Sequence, residues 1–441
     1  MKNRVYTHEM IKSYYPGIKL RLHTPAHRGS NNYSEYFGSS IYNYDLPFFL
    51  REDFWNIEQS VAKLYQTEHT FFLTGGATQG ILVACAILGS QHRRVAVGIN
   101  SHLSIIHGFI LSGIDPYFIP SQSLEPTAKE VIQGLEASPE VKALFLTNPS
   151  YQGITTDLVL IAKYCRSHQI LLILDEAHGT HFPFLELSIP SGLTENIDIV
   201  VHSLHKFVGS LVQTALLHIP QYSRISVEEV TKALSMFETT SRSNLLVLSA
   251  EEAIKFAFTN EGKQCFSQVV QGCHALKKLL DNFGDVLTYD SRGDDPLKIF
   301  LISDRATGEE ISDLLRERQV DYEYCNQQGV LLIFSFTNTP KEFSYLEKVF
   351  NDIFDILVKK TAKEFVYENQ LRRIPIMSAS PRKAFFAANK QKLKIKDALG
   401  LTSCNSIKKI PPCIPLLIPG EQIVNYHLEN IDPELIIQVM Q

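Results

Sequence analysis

The chain has 441 residues, 44% hydrophobic and 20% charged, enough apolar material for about three domains or one large domain with an appendage. Those fractions exclude disordered and fibrous classes. Lys and Arg number 42 against 47 Asp and Glu, and a net charge of −5 argues against nucleic acid gripped through its phosphates. Seven cysteines, without a Cys-x-x-Cys pair, read as reduced thiols rather than a disulfide framework or a structural zinc site. The N-terminus MKNRVYTHEMIKSYY has no signal-peptide core, and no run reaches the roughly 20 apolar residues that span a bilayer. These features predict a soluble, cytoplasmic protein with no membrane partner.

From about Ser60 to Leu246, short apolar runs alternate with longer helical patterns. Leu73-Thr74-Gly75-Gly76-Ala77-Thr78-Gln79-Gly80 reads as a turn into the helix ILVACAIL. Val95–Ile99, Asp115–Ile119, Lys142–Thr147, Ile170–Asp175, Asp198–Ser203 and Gln213–Ile219 read as buried strands. Apolar strands alternating with helices predict a parallel sheet covered on both faces. From about Glu251 to Thr361 the pattern becomes α+β, with strands KIFLIS and VLLIFSF among amphipathic helices. After about Phe365 the chain is basic and then Pro-rich, and reads as a segment packed onto the rest.

In a parallel sheet, ligands bind beyond the carboxyl ends of the strands. Asp175 ends a wholly apolar run, where a carboxylate is desolvated and needs a cation or hydrogen-bond donors. The next such run ends in Ser203-Leu204-His205-Lys206, which brings a hydroxyl, an imidazole and an amine to the same rim. A strand-end lysine beside a strand-end aspartate suggests a Schiff-base lysine and the partner of a pyridinium nitrogen. Small residues at Gly75–Thr78 let a helix N-terminus face a phosphate. Each signal also has a plain structural reading, as a helix cap, salt bridge, solvated lysine or glycine turn. A metal set of His178, His181, His202 and His205 is disfavoured, because His202 and Ser203 point to opposite faces of a strand; no metal is expected.

The sequence resembles the pyridoxal-phosphate-dependent Orn/Lys/Arg decarboxylases of fold type I, in their short bacterial form. The likeness starts at Leu22-His23-Thr24-Pro25-Ala26-His27-Arg28-Gly29 and Tyr44-Asp45-Leu46. It continues through Gly76-Ala77-Thr78, Asn100-Ser101-His102-Leu103-Ser104 and Asn148-Pro149-Ser150-Tyr151-Gln152-Gly153. Asp175-Glu176-Ala177-His178-Gly179, Ser203-Leu204-His205-Lys206, Thr239-Thr240-Ser241-Arg242-Ser243 and Asp295-Pro296-Leu297-Lys298 follow. Near the C-terminus lie Ser380-Pro381-Arg382-Lys383-Ala384, Pro411-Pro412-Cys413-Ile414-Pro415 and Ile418-Pro419-Gly420-Glu421.

The resemblance implies a fold-type-I α/β architecture. An N-terminal arm and cofactor-binding major domain would occupy 1–255, a small α+β domain 256–362 and a C-terminal segment 363–441. It implies pyridoxal 5′-phosphate held by Lys206 as a Schiff base, with Asp175 on the ring nitrogen and His102 and Ala177 on the two ring faces. Gly76, Ala77, Thr78, Ser203 and His205 would hold the phosphate, with His178 near the ring hydroxyl or structural. The implied activity is decarboxylation of lysine, ornithine or arginine by at least a homodimer. Alternatives on the same residues are an aminotransferase or aldolase reaction, or cofactor binding with little catalysis. The sequence departs from the family at Ala26, Ala77, Leu103, Lys383, Leu401, Asn405 and Cys413. The family's acid is replaced by Asn405, so the expectation is a weakened or altered basic-substrate pocket, unless another carboxylate such as Glu323 serves.

Overall fold

The computed structural model describes residues 20–22, 51–185, 189–193, 197–240, 242–362, 374–409 and 413–441. The motif stretches at 23–29 and 44–46, Ser241, Pro411 and Pro412 lie outside the described residues. After β1 (Leu20–Leu22) and α1 (Arg51–Tyr65), β2 (His69–Leu73) runs into α2 (Gly76–Gln91). Strand and helix alternate through β3 (Arg94–Val97), α3 (Leu103–Ser112), β4 (Asp115–Phe118), α4 (Ala128–Glu136), β5 (Ala143–Thr147) and α5 (Leu158–Ser167). Then come β6 (Leu171–Asp175), β7 (Ile199–His202), the short α6 (Leu204–Phe207) and β8 (Ala215–Ile219). The expected strands lie within one or two residues of their predicted ends. β2 was not among them, because His69 and Thr70 interrupt its apolar run, although all five of its residues are buried.

These strands form one seven-stranded sheet in the order β2-β8-β7-β6-β5-β3-β4. The pairs from β4 through β7 are parallel, while β8 is antiparallel to both β7 and β2. Two reversals restore the direction of β2, so its carboxyl end, the start of β8 and the other carboxyl ends share one rim. The register shows this: Leu73 lies opposite Ala215, His202 opposite Leu216, Asp175 opposite Val201, and Thr147 opposite Asp175. Alternate residues of each strand enter different cores, which is why the runs are apolar throughout. Phe145, Ile173 and Val201 pack with α2 and α3, whereas Leu144, Leu172 and Val200 pack with α4 and α5.

Helices α7 (Val227–Leu234), α8 (Asn244–Ala257) and α9 (Asn260–Asp281) lead to the second sheet. Its elements are β9 (Thr288–Tyr289), β10 (Lys298–Ile302), α10 (Gly308–Glu317), β11 (Val320–Tyr322), β12 (Tyr324–Cys325), β13 (Val330–Ile333) and α11 (Pro340–Leu357). Four of the strands pair antiparallel in the order β12-β13-β10-β9, and β1 pairs in parallel with β11. Thr307 with Glu310, and Thr339 with Glu342, form capping boxes that fix the starts of α10 and α11. One apolar cluster joins Phe72, Phe207 and Leu216 of the first sheet region to Leu276, Leu332 and Phe350 of the second.

The C-terminal residues form α12 (Pro381–Phe385), β14 (Lys390–Lys394), β15 (Ile407–Lys409), β16 (Ile414–Leu417), α13 (Asn425–Asn430) and β17 (Ile436–Met440). β14 pairs with β17 and β15 with β16, around an apolar cluster that includes Ile395, Leu417, Ile423 and Val439. This segment holds α3 at both ends. Arg382 Nη1 donates to the Ile110 and Leu111 carbonyls at 3.0 and 2.7 Å, a cation at a helix C-terminus, and the Leu103 amide donates to the Cys413 carbonyl at 3.0 Å. Cys413 adopts φ 62°, a left-handed conformation that a glycine would take without steric cost.

Asp198 fixes the entry to β7. Its buried carboxylate accepts from Leu172 N at 2.8 Å and from Arg224 Nε and Nη2 at 2.9 and 2.6 Å. Asp198→Ala removes the partner of the Arg224 guanidinium and of two amides, those of Leu172 and Arg224, and should destabilise the chain by about 3–5 kcal/mol in denaturant melts. A change within about 0.5 kcal/mol would show that the pair is peripheral.

Candidate functional site

The rim of the large sheet gathers most of the residues that the sequence singles out. Asp175, at the end of β6, is 4% exposed, and its Oδ1 accepts from the Ala177 amide at 3.1 Å. Burial pushes its carboxyl up, against the opposing pull of the Lys206 charge and that amide. Ala177 is itself buried, with no side chain beyond Cβ to crowd the rim. Thr180 Oγ1 accepts from Ser203 N at 3.0 Å and donates to Ser203 O at 3.1 Å, which locks the loop after β6 to the start of α6.

Lys206 lies in α6, and its Nζ is 2.7 Å from His178 Nε2. Burial brings the amine down to about 8 from 10.5, although Asp175 and Glu323 pull the other way. His178 is held well below the usual imidazole range, by burial first and then by the Lys206 charge. A neutral imidazole therefore accepts from the amine at Nε2, and its Nδ1 has no hydrogen-bond partner among the described residues. His102 caps α3: its Nδ1 accepts from the Ser104 amide at 3.1 Å and lies 2.7 Å from Ser104 Oγ. Burial, then Lys206 and Lys408, lower His102 to about 4, so the ring is neutral at pH 7 and carries its proton on Nε2.

The start of α2 is held to the same rim through the turn before β8. Gly76 N donates to Gln213 O at 2.8 Å, and Leu204 N donates to Thr214 O at 3.1 Å. Gln213 takes φ 76° to present that carbonyl. α2 begins without a capping side chain; Gly76 itself has φ 72°, and a Cβ there would meet nothing within 4 Å. The committed Gly76 amide leaves those of Ala77 and Thr78 as the first-turn donors for an anion. Ser203 Oγ and Thr214 O each lie 3.3 Å from His205 Nδ1, which orients that ring beside the turn.

His181 and His202 have other partners. His181 Nε2 meets Asp295 Oδ1 at 2.8 Å, and His202 Nε2 meets Glu176 Oε2 at 2.6 Å. Among the described residues no three His, Cys, Asp or Glu side chains converge as a metal set.

Sequence reasoning left two neighbours without a role, Tyr151 and Lys298. Tyr151 OH donates to Glu323 Oε1 at 2.6 Å, and its ring lies edge-on to His178 at 4.8 Å. Burial and the Glu323 charge raise the Tyr151 phenol, which therefore stays a donor. Lys298 is buried at the start of β10, paired with Asp295. A lysine leading directly into an apolar strand was the available signal for it. Asn405 is committed elsewhere: its Oδ1 accepts from Gln438 N at 2.5 Å. Glu323, in contrast, acts on the charge of Lys206.

An amine lowered to about 8, a desolvated carboxylate and an uncapped helix start suit a ligand with an aldehyde, a basic ring nitrogen and a phosphate. Pyridoxal 5′-phosphate has all three, and the residues present fit it.

Comparison with known proteins identifies the family and the fold. A family model described as Orn/Lys/Arg decarboxylase, major domain, matches residues 14–298. A protein named arginine decarboxylase from Halalkalibacterium halodurans is 30% identical over 398 residues, covering 85% of this chain and 79% of that one. Another of that name from Bacillus anthracis is 28% identical over 393 residues, covering 85% and 79%. The structure of lysine decarboxylase A from Pseudomonas aeruginosa shares the fold, with a TM-score of 0.75 and 17% identity, covering 93% of this chain and 75% of that one.

The lowered amine has a direct consequence. Its neutral, nucleophilic fraction grows as pH rises through about 8, so an aldehyde probe should add to Lys206 of the cofactor-free protein with a rate midpoint near pH 8. A midpoint near 10 would mean that the amine is solvated.

Proposed function

We propose that this chain, a member of the Orn/Lys/Arg decarboxylase family, uses pyridoxal 5′-phosphate to decarboxylate lysine, ornithine or arginine to the corresponding amine. The observation that carries this reading is the Lys206 amine, lowered to about 8, at one rim with the buried Asp175 carboxylate and the uncapped start of α2. When bound, the cofactor supplies an electron sink for the pair left behind as carbon dioxide departs.

The chain's residues prepare and bound that chemistry. Lys206 offers a lone pair to an aldehyde carbon near neutral pH, and neutral His178 accepts a hydrogen bond from Nζ at its Nε2, orienting the amine. Asp175, already desolvated, favours a cationic ring nitrogen over a neutral one. Neutral His102 and the small Ala177 would flank the cofactor ring when it is bound. The amides of Ala77 and Thr78, with Ser203 and His205, would hold its phosphate, while Gly76 shapes the turn. Glu323, oriented by Tyr151, supplies the acidic charge that a basic substrate side chain needs when it leaves water. The same reading makes the protein cytoplasmic and at least a homodimer, with the chain divided at 255/256 and 362/363.

Incubating the purified protein with each common amino acid tests the reaction class. Carbon dioxide and an amine from lysine, ornithine or arginine are expected. A keto acid points instead to amino transfer, and an aldehyde to aldol cleavage. Asp175→Asn should keep the fold and lose about 100-fold or more in kcat, as expected for 3 kcal/mol or more of lost charge pairing. Unchanged turnover would make Asp175 purely structural. Glu323→Gln should raise KM for the basic substrate about tenfold. An unchanged KM would place the recognising acid elsewhere.

A further inference from the structure

Behind α6 lies a buried cluster that this reading leaves without a role. The Lys298 side chain is 1% exposed, with Nζ 3.3 Å from Asp295 Oδ2 and 3.4 Å from the Ser150 carbonyl. Asp295 Oδ1 also accepts from the Leu297 amide at 3.0 Å and meets His181 Nε2 at 2.8 Å. The His181 ring stacks on Phe207, centroids 4.0 Å apart, and the Lys298 ammonium lies 5.4 Å from the centroid of the same ring. Phe207 is thus gripped by an imidazole and an ammonium, and it is the residue next to Lys206. The Gly153 carbonyl accepts from the Asp294 and Asp295 amides, and a Cβ at Gly153 would come within 2.8 Å of Asp295 Cβ.

Packing alone does not call for a lysine here. One carboxylate offsets the desolvation of a buried ammonium only in part, and methionine would fill much the same volume without that penalty. The charge itself has a target. Besides burial, which lowers Lys206 most, the charges acting on its Nζ are Asp175 and Glu323, which favour the protonated form, and Lys298, which opposes them. His178 and His102, also beside the amine, are neutral at pH 7.

We propose that Lys298, held by Asp295 and His181, is a positioning residue for Lys206: it grips Phe207 and sets a positive charge, paired with Asp295, behind the amine. The consequence is that the nitrogen linking Lys206 to the cofactor sheds its proton more readily than Asp175 and Glu323 alone would allow. This rests on the cofactor reading above, and deepens it.

The test is a pH titration of the visible absorbance of the cofactor-loaded protein, with melting temperatures alongside. Lys298→Met should raise the titration midpoint by about half a pH unit or more, since a cation that opposed protonation is gone. Lys298→Gln, whose amide can still donate to Asp295 and the Ser150 carbonyl, should move it the same way and is the milder change for folding. Phe207→Leu keeps the charge and loosens the grip, so it should leave the midpoint in place and speed cofactor loss several-fold. A lowered melting temperature with an unmoved midpoint in the Lys298 variants overturns the inference, as does unchanged cofactor retention in Phe207→Leu. A wild-type protein that never shows a cofactor band overturns the reading beneath it, and this inference with it.

Discussion

A carboxylate held out of water at the end of β6 is costly, and the rim is arranged around that cost. Asp175 receives one amide bond and the partial charge of a lysine that is itself desolvated. Neither group is fully satisfied by the other: burial raises the acid and lowers the amine, so each is poised for a third party. A well-paired surface lysine would stay near 10.5 and be a poor nucleophile at neutral pH. The site's reactivity is therefore a product of its dryness.

That dryness depends on chain segments far apart in sequence. The reversed β8 is central, because the turn before it accepts from both the start of α2 and the start of α6, fixing the uncapped helix start relative to Lys206. α3 carries His102 and is held at its two ends by Arg382 and Cys413, so the C-terminal segment determines how His102 meets the rim. The second sheet contributes Glu323 and Lys298, charges of opposite sign that both act on the amine.

The large sheet was legible because its strands are buried on both faces, and the residue ending each run shows where the rim lies. That places Asp175 and the Ser203–Lys206 stretch at the rim, while their expected cofactor roles rest on the resemblance to the family. β2 was not legible: two polar residues, His69 and Thr70, are accepted into the core because Glu58 and His218 pair with them. Lys298 sits far from the rim in sequence, and only the docking of the second sheet brings it there; Glu323, named from the sequence as a possible carboxylate, is brought to it by the same docking. Asn405 illustrates the opposite case. Its place in a family motif suggested a pocket role, yet its side chain supports β17 through the Gln438 amide. Motif position conveyed which segment meets which, but not where each side chain points.

The central claim is that Lys206 is the cofactor-bearing amine. Borohydride reduction of the purified protein followed by peptide mapping tests it most directly. The account predicts one pyridoxyl group per chain, covalently fixed on the peptide that contains Lys206. A label on any other lysine, Lys298 included, or none in protein that retains the yellow chromophore, would contradict it.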